Sequence, residues 1–190
     1  MKPQNKGKGP VIIISGPPGS GTTTIAREIA RHFGLDYFST GDIFRKVAKE
    51  RGLEVSKLSK VAEQEVDWEV DNKSKQAAEK GNVVMESDIA AWINMDIPSI
   101  KIWLDAPLMV RAERIFNTTQ KRVAEKYKNL AEVAKKIKER RDRDRDRYME
   151  RYQYNVDDVS IYDLKIDTER LSVQEVVEKV AEFVSKKLRP

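Results

Sequence analysis

The run Gly16-Pro17-Pro18-Gly19-Ser20-Gly21-Thr22-Thr23-Thr24 has the residue types and spacing to hold a phosphate chain. Gly16 and Gly21 stand where the pattern G-x-x-x-x-G-K-[ST] requires glycine, with Gly19 between them. Glycines let such a loop turn its backbone N–H groups inward with no Cβ in the way. A helix that starts at the end of the loop adds its positive dipole end. Thr23 falls at the hydroxyl position that ligates Mg2+ in this pattern. Thr22 falls where the pattern has Lys, so the loop lacks one full positive charge and needs cations from elsewhere. A glycine-rich turn that binds no nucleotide, or a loop without catalysis, is the plainer alternative.

The cations are sought in Lys138 to Tyr148, which reads KERRDRDRDRY. A helix tuned only for solvent sets Glu and Lys four apart, whereas this alternation sets like charges four apart. Arg140, Asp144 and Arg147 fall at i, i+4 and i+7, and Arg151 extends the row. An acid between guanidiniums can hold them in position while leaving donors for phosphate oxygens. Arg111 and Arg114 form a second basic site. Phosphoryl transfer depends on positioning and on neutralising charge, which arginines on a closing lid supply. The competing reading is a solvated, self-paired charged helix.

An acceptor side is legible in Ser39-Thr40-Gly41-Asp42-Ile43-Phe44-Arg45. A hydroxyl at Ser39 or Thr40, with Arg45 one turn into a helix, suits the phosphate of a second nucleotide. An ordinary helix cap followed by a surface arginine reads the same way. Glu86 ends the apolar run Val83-Val84-Met85 and is placed to order water around Mg2+. Asp88 either faces the same site or caps a helix from Ile89, and Asp105 is read as a cap. His32, the single histidine, sits in a charged helix tail and is read as a surface residue.

These groups need a frame. Val11 to Ile14 is wholly apolar and β-branched, as in a strand buried on both faces. Helical spacing follows at Ile25, Ile29 and Phe33. Further strands are expected at Asp36 to Phe38, Val83 to Met85, Ile100 to Leu104 and Tyr162 to Ile166. Helices are expected over about 57–80, after Pro107, over 120–150, and after the cap Ser172. Short apolar strands alternating with helices predict an α/β fold, a doubly wound five-stranded parallel sheet flanked by helices on both faces. In such sheets ligands bind beyond the carboxyl ends of the strands, where all the motifs above fall.

The 190 residues suit one domain, and 35 % of them are charged. Mean hydropathy is −0.63. The Lys, Glu and Arg content fits a hot environment. There is no cysteine, so disulfides and thiolate metal sites are excluded. No run approaches ~18 apolar residues, so no membrane span is expected. The start MKPQNKGKGP lacks an apolar core and is read as a flexible basic tail over 1–10. A net charge of +5 favours anionic partners. A non-catalytic nucleotide- or nucleic-acid-binding module is the rival of another class. Against it, the basic residues are interleaved with acids and no aromatic stacking platform is evident.

Taken in order, GPPGSGTTT, STGDIFR, NVVMES followed by AAW, IKIWLDAPLMVRAERI, RDRDRDRY and DVSIYDLKIDT resemble archaeal-type cytidylate kinases from Val11 to Lys187. The resemblance implies a P-loop nucleoside-monophosphate kinase domain over 11–190, with an acceptor segment at about 40–80 and a lid at about 117–155. It implies phosphorylation of CMP or dCMP by ATP with Mg2+; adenylate or another nucleoside monophosphate is the alternative acceptor. Gly16 to Thr24 would hold ATP, Thr23 and, through water, Glu86 the metal. Ser39, Thr40, Arg45 and Asp88 would hold the acceptor. Arg140, Asp144 and Arg147, with Arg111 and Arg114 assisting, would stabilise the transferring group. Lid residues 140, 144 and 147 match the family's R-x-x-x-D-x-x-R row, and a Thr at the loop's Lys position is familiar in the group. Family members read E-G-R after the third strand, where this chain has Glu86-Ser87-Asp88. A cytoplasmic monomer is expected, with no membrane or nucleic-acid partner.

Overall fold

The computed structural model describes residues 9–50, 64–119 and 127–189. Strand β1, Val11–Ser15, is buried along its whole length and forms the centre of the sheet. It pairs in parallel with β3, Val83–Glu86, on one side and with β4, Ile100–Asp105, on the other. Strand β2, Asp36–Ser39, lies outside β3, and β5, Leu164–Asp167, lies outside β4. The five parallel strands thus run in the order β2-β3-β1-β4-β5.

The two faces of the sheet divide β1 by alternation, as the two-residue period of a strand requires. Ile12 and Ile14 pack with Ile102, Leu104 and Ile166 beneath helix α1, Thr22–Phe33. The C-terminal helix Val173–Leu188 covers the same face through Val176, Val180 and Val184. Val11 and Ile13 pack on the opposite face with Met85, Trp103, Ala78 and Ala91. Ile12, Ile13 and Ile14 are 0 % exposed, and each full burial is worth about 1.5–3 kcal/mol.

The remaining helices, in chain order, are α2, Thr40–Glu50; α3, Gln64–Lys80; the short α4, Ala90–Ile93; α5, Leu108–Thr119; and α6, Leu130–Tyr152. The C-terminal helix is α7. Ser172 caps it as expected, and Glu175 completes a reciprocal capping box with it. Among the described residues no helix is long and apolar enough to cross a membrane.

Two boundaries differ from expectation for local reasons. The charged stretch is not one continuous helix up to 150: Tyr127 to Asn129 is non-helical, and the Asn129 side chain accepts the N–H of Glu132 and caps α6 there. The last strand begins at Leu164 rather than Tyr162. Tyr162 closes a 3-10 turn, Val159–Ile161, and packs its ring 5.1 Å from that of Trp103. The long helix before β3 is described from Gln64. Expectations for most of the tail, for 51–63 of the acceptor segment and for 120–126 of the lid lie outside the described residues.

Candidate functional site

The strand order reverses about β1, so the loop that leaves Ser15 opens into the crevice at the carboxyl end of the sheet. Close packing there dictates two of its glycines. A Cβ on Gly16 would lie 2.1 Å from the Leu104 carbonyl oxygen. Gly19 has φ +88°, and a Cβ on it would lie 2.6 Å from the Arg111 carbonyl oxygen. Thr22 is the first residue of α1, and Thr23 and Thr24 are exposed at its N-terminus. The loop therefore runs into a helix N-terminus that carries two exposed threonines.

Arg111 and Arg114 brace this loop from behind. Arg111 donates Nε–H to the Ala106 carbonyl at 2.8 Å and Nη1–H to the Pro18 carbonyl at 3.2 Å, with Asp105 3.8 Å away. Burial pulls the Arg111 guanidinium's pKa down, and Asp105 opposes that pull. Arg114 donates to the Thr168 hydroxyl at 2.9 Å and carbonyl at 2.6 Å. The Thr168 hydroxyl lies 2.9 Å from the Asp105 carbonyl and 3.2 Å from that of Ser20. Both guanidiniums, expected among the phosphate-facing cations, are engaged by the scaffold in this structure. Thr168 was not singled out from sequence; its signal is a polar residue just past an apolar strand. Asp105, read as a helix cap, instead accepts the N–H of its chain neighbour Ala106 at 2.7 Å, ahead of α5, which begins at Leu108.

Glu86 joins the loop to the acceptor side. Its Oε2 accepts the Ser39 hydroxyl at 2.6 Å and the Tyr37 hydroxyl at 3.3 Å, and its Oε1 accepts the Thr22 hydroxyl at 3.4 Å. The sheet register explains this, since Glu86 stands opposite both Ile14 and Ser39. The Ser39 hydroxyl also accepts the Asp42 N–H at 3.3 Å and so helps start α2. Arg45 folds back over Gly41 and pairs with Asp42 at 2.5 Å. Among the described residues no group of three or more His, Asp or Glu could hold a metal unaided. Mg2+ needs less than that, because it keeps several waters and takes substrate phosphate oxygens. The Thr23 hydroxyl and the Glu86 carboxylate fit such a hydrated ion.

Asp88 does not cap the following helix. The Ser87 hydroxyl does so, accepting the N–H groups of Ile89 at 3.2 Å and Ala90 at 3.1 Å. Asp88 instead faces Arg141 at 3.7 Å, and burial raises its carboxyl to about 6 against the pull of that arginine. Arg141 lies over the Trp103 ring at 5.6 Å and bonds Asp157 at 2.7 Å and the Val156 carbonyl at 2.9 Å. Nothing in the charge alternation distinguished Arg141 from its neighbours; its partners are an aromatic on β4 and a loop after the helix.

The row on α6 meets the acceptor side. Arg140 and Arg147 each lie 3.5 Å from Asp144. Arg147 also donates to Asp67 of α3 at 3.0 Å, and Arg151 bonds the other oxygen of that carboxylate. The Arg147 guanidinium stands 5.6 Å from the Phe44 ring and 4.9 Å from that of Tyr148. Phe44 is the chain neighbour of Arg45, so Arg147 sits against α2, where an acceptor site is expected from sequence. The Tyr152 hydroxyl bonds Asp71 one turn further along α3. Neither Asp67 nor Asp71 was marked by the sequence reading.

The AAA domain family model matches residues 15–153. A cytidylate kinase from Staphylothermus marinus is 41% identical, covering 94% of this chain and 98% of that protein. One from Methanocaldococcus jannaschii is 43% identical over 92% and 97%. One from Pyrococcus horikoshii is 44% identical over 87% and 83%. Among solved structures, an uncharacterized protein from Eubacterium ventriosum superposes with a TM-score of 0.71 at 16% identity, covering 93% of this chain and 98% of that one. A shikimate kinase from Acinetobacter baumannii superposes at 0.59 and 15%, covering 95% and 96%. The structural likenesses speak for the fold.

Proposed function

This chain belongs to the cytidylate kinase family, and on that premise we propose that it transfers the γ-phosphoryl group of ATP to CMP or dCMP. A phosphate oxygen of the acceptor attacks the γ-phosphorus in line, the bond to the β-bridging oxygen breaks, and ADP leaves with that oxygen. No covalent enzyme intermediate is formed. The observation that carries the reading is the Glu86 junction, where one carboxylate takes hydroxyls from the phosphate loop, Thr22, and from the acceptor side, Ser39.

In this reading the Gly16–Thr24 backbone and the α1 dipole hold the β- and γ-phosphates. Thr23, and Glu86 through water, would hold Mg2+, which supplies charge neutralisation across the phosphates when bound. Ser39, Thr40 and Arg45 hold the acceptor phosphate, with Asp88 at its edge. Arg140 and Arg147, ordered by Asp144, neutralise charge on the transferring group. Arg111 and Arg114 contribute by keeping the loop in shape. Residues 40–80 act as the acceptor segment and 117–155 as the lid. All these groups come from one chain, which suits a monomer, and the nucleotide substrates suit a cytoplasmic enzyme.

The test is a coupled assay of ADP release across all nucleoside and deoxynucleoside monophosphates. CMP and dCMP are expected to be the best acceptors. Turnover of AMP without turnover of CMP would overturn the base assignment, and salt-dependent RNA binding without ATP consumption would overturn the kinase reading.

A further inference from the structure

The Asp67 carboxylate is 3 % exposed and carries two guanidiniums from a helix about 80 residues downstream. Burying such a cluster is a weak source of stability, because the desolvation of each ion offsets the attraction. What it does fix is geometry. It ties α3, in the acceptor segment, to α6, in the lid. Arg147 is shared between Asp67 at 3.0 Å and Asp144 at 3.5 Å, and its plane lies against the rings of Phe44 and Tyr148. The other guanidinium, that of Arg151, stays on the second oxygen of Asp67. The phosphate loop, by contrast, is braced by different arginines, Arg111 and Arg114.

Arg147 is therefore neutralised by two carboxylates, Asp67 of the acceptor segment and Asp144 of its own lid helix. To reach a transferring phosphoryl group it must exchange at least one of them for phosphate oxygens. The acceptor phosphate, a doubly charged group entering beside Phe44 and Arg45, is the natural competitor for that guanidinium. Among the described contacts of Arg147, with Asp67, Asp144, Phe44 and Tyr148, none is with the loop on which ATP would be held. Resting on the kinase reading above, we propose that Asp67 is a positioning residue that withholds Arg147 from ATP until the acceptor phosphate arrives. Its carboxylate holds Arg147 in the open site, keeps Arg151 as an anchor, and yields Arg147 only to the acceptor. The consequence is suppression of futile ATP hydrolysis, in which water would replace the acceptor oxygen as nucleophile and release ADP and inorganic phosphate.

The experiment compares wild type, D67N and D67E in three measurements on the full chain: phosphate release from ATP with no acceptor, kcat and KM with CMP, and thermal melting. The amide of D67N keeps the shape and loses the charge. It is expected to raise acceptor-free hydrolysis by about fivefold or more, the lower end of ordinary coupling between two sites. It also lowers the number of CDP formed per ATP consumed. D67E, which restores the charge, returns both toward wild type. A merely structural clasp predicts a lower melting temperature for D67N with the ratio of hydrolysis to transfer unchanged, and that result overturns the proposal. If D67N does not fold, R151M tests the same point. With one guanidinium gone, Asp67 holds Arg147 more tightly, so KM for CMP rises while KM for ATP stays within twofold by this reasoning; an unchanged KM for CMP overturns the proposal. Failure of the kinase reading is seen separately, as wild type that forms no CDP at all.

Discussion

Thr22 occupies the lysine position of the phosphate loop, and its hydroxyl lies 3.4 Å from Glu86. The charge absent there has to be supplied by groups that sit elsewhere, and the arginines divide into two kinds by what they touch. Arg114 has two donors on Thr168, which is 3 % exposed. Arg147 touches two carboxylates and two aromatic rings next to the acceptor segment. Their substitutions should therefore separate. R147A is expected to lower kcat by at least ~10-fold, as for loss of a transition-state charge contact, and to lower the melting temperature as well, because the buried Asp67 loses one of its two guanidiniums. R114A is expected to lower stability by about 1–3 kcal/mol, since Thr168 loses its partner in a buried place. Measuring kcat and thermal melting on both variants checks the division. An unchanged rate for R147A would mean that the lid row serves only to tie α6 to α3.

The elements that hold these residues were legible in proportion to how local their causes are. Val11 to Ile14 announces a strand buried on both faces by its own composition, and Ser172 with Glu175 announces a helix start within four residues. Asn129 caps α6 by the same chemistry, yet the apolar and charged residues on either side hid the break. N129A is expected to destabilise by about 1 kcal/mol, because the Glu132 N–H loses its acceptor; chemical denaturation measures this. The row Arg140, Asp144, Arg147 could be read from helical spacing alone. Its partner Asp67 could not, because nothing local marks one acid of α3 as the one that meets a helix 80 residues away. Arg141 and Thr168 were invisible for the same reason: each is defined by residues that only the folded sheet brings near.

Across the whole molecule, the site spans the crevice between a braced loop and a pair of helices tied by ion pairs. The loop side rests on β4, α5 and Thr168, and the acceptor side rests on α2, α3 and α6. A ligand that touches both sides should stabilise the fold as a unit. A bisubstrate analogue carrying adenosine and cytidine at the two ends of one phosphate chain, at about 100 times its Kd, is expected to add about 2.7 kcal/mol. Hydrogen exchange should show the added protection in α6 and α3 together as well as at the N-terminus of α1. Protection confined to α1 would mean that the two halves bind independently.

The register of β3 between β1 and β2 has a consequence for how such a chain can vary. Glu86 reaches both Thr22 and Ser39 because it is the fourth residue of a strand whose first residue, Val83, stands opposite Val11 and Asp36. Inserting or deleting a single residue inside β3 would turn Glu86 to the wrong side of the sheet. The same change in a connecting loop leaves that alignment untouched. Tolerance to changes of length should therefore fall in bands along the gene, with β3 among the narrowest, and drift of the chain is free mainly where it does not count residues between one strand end and the next.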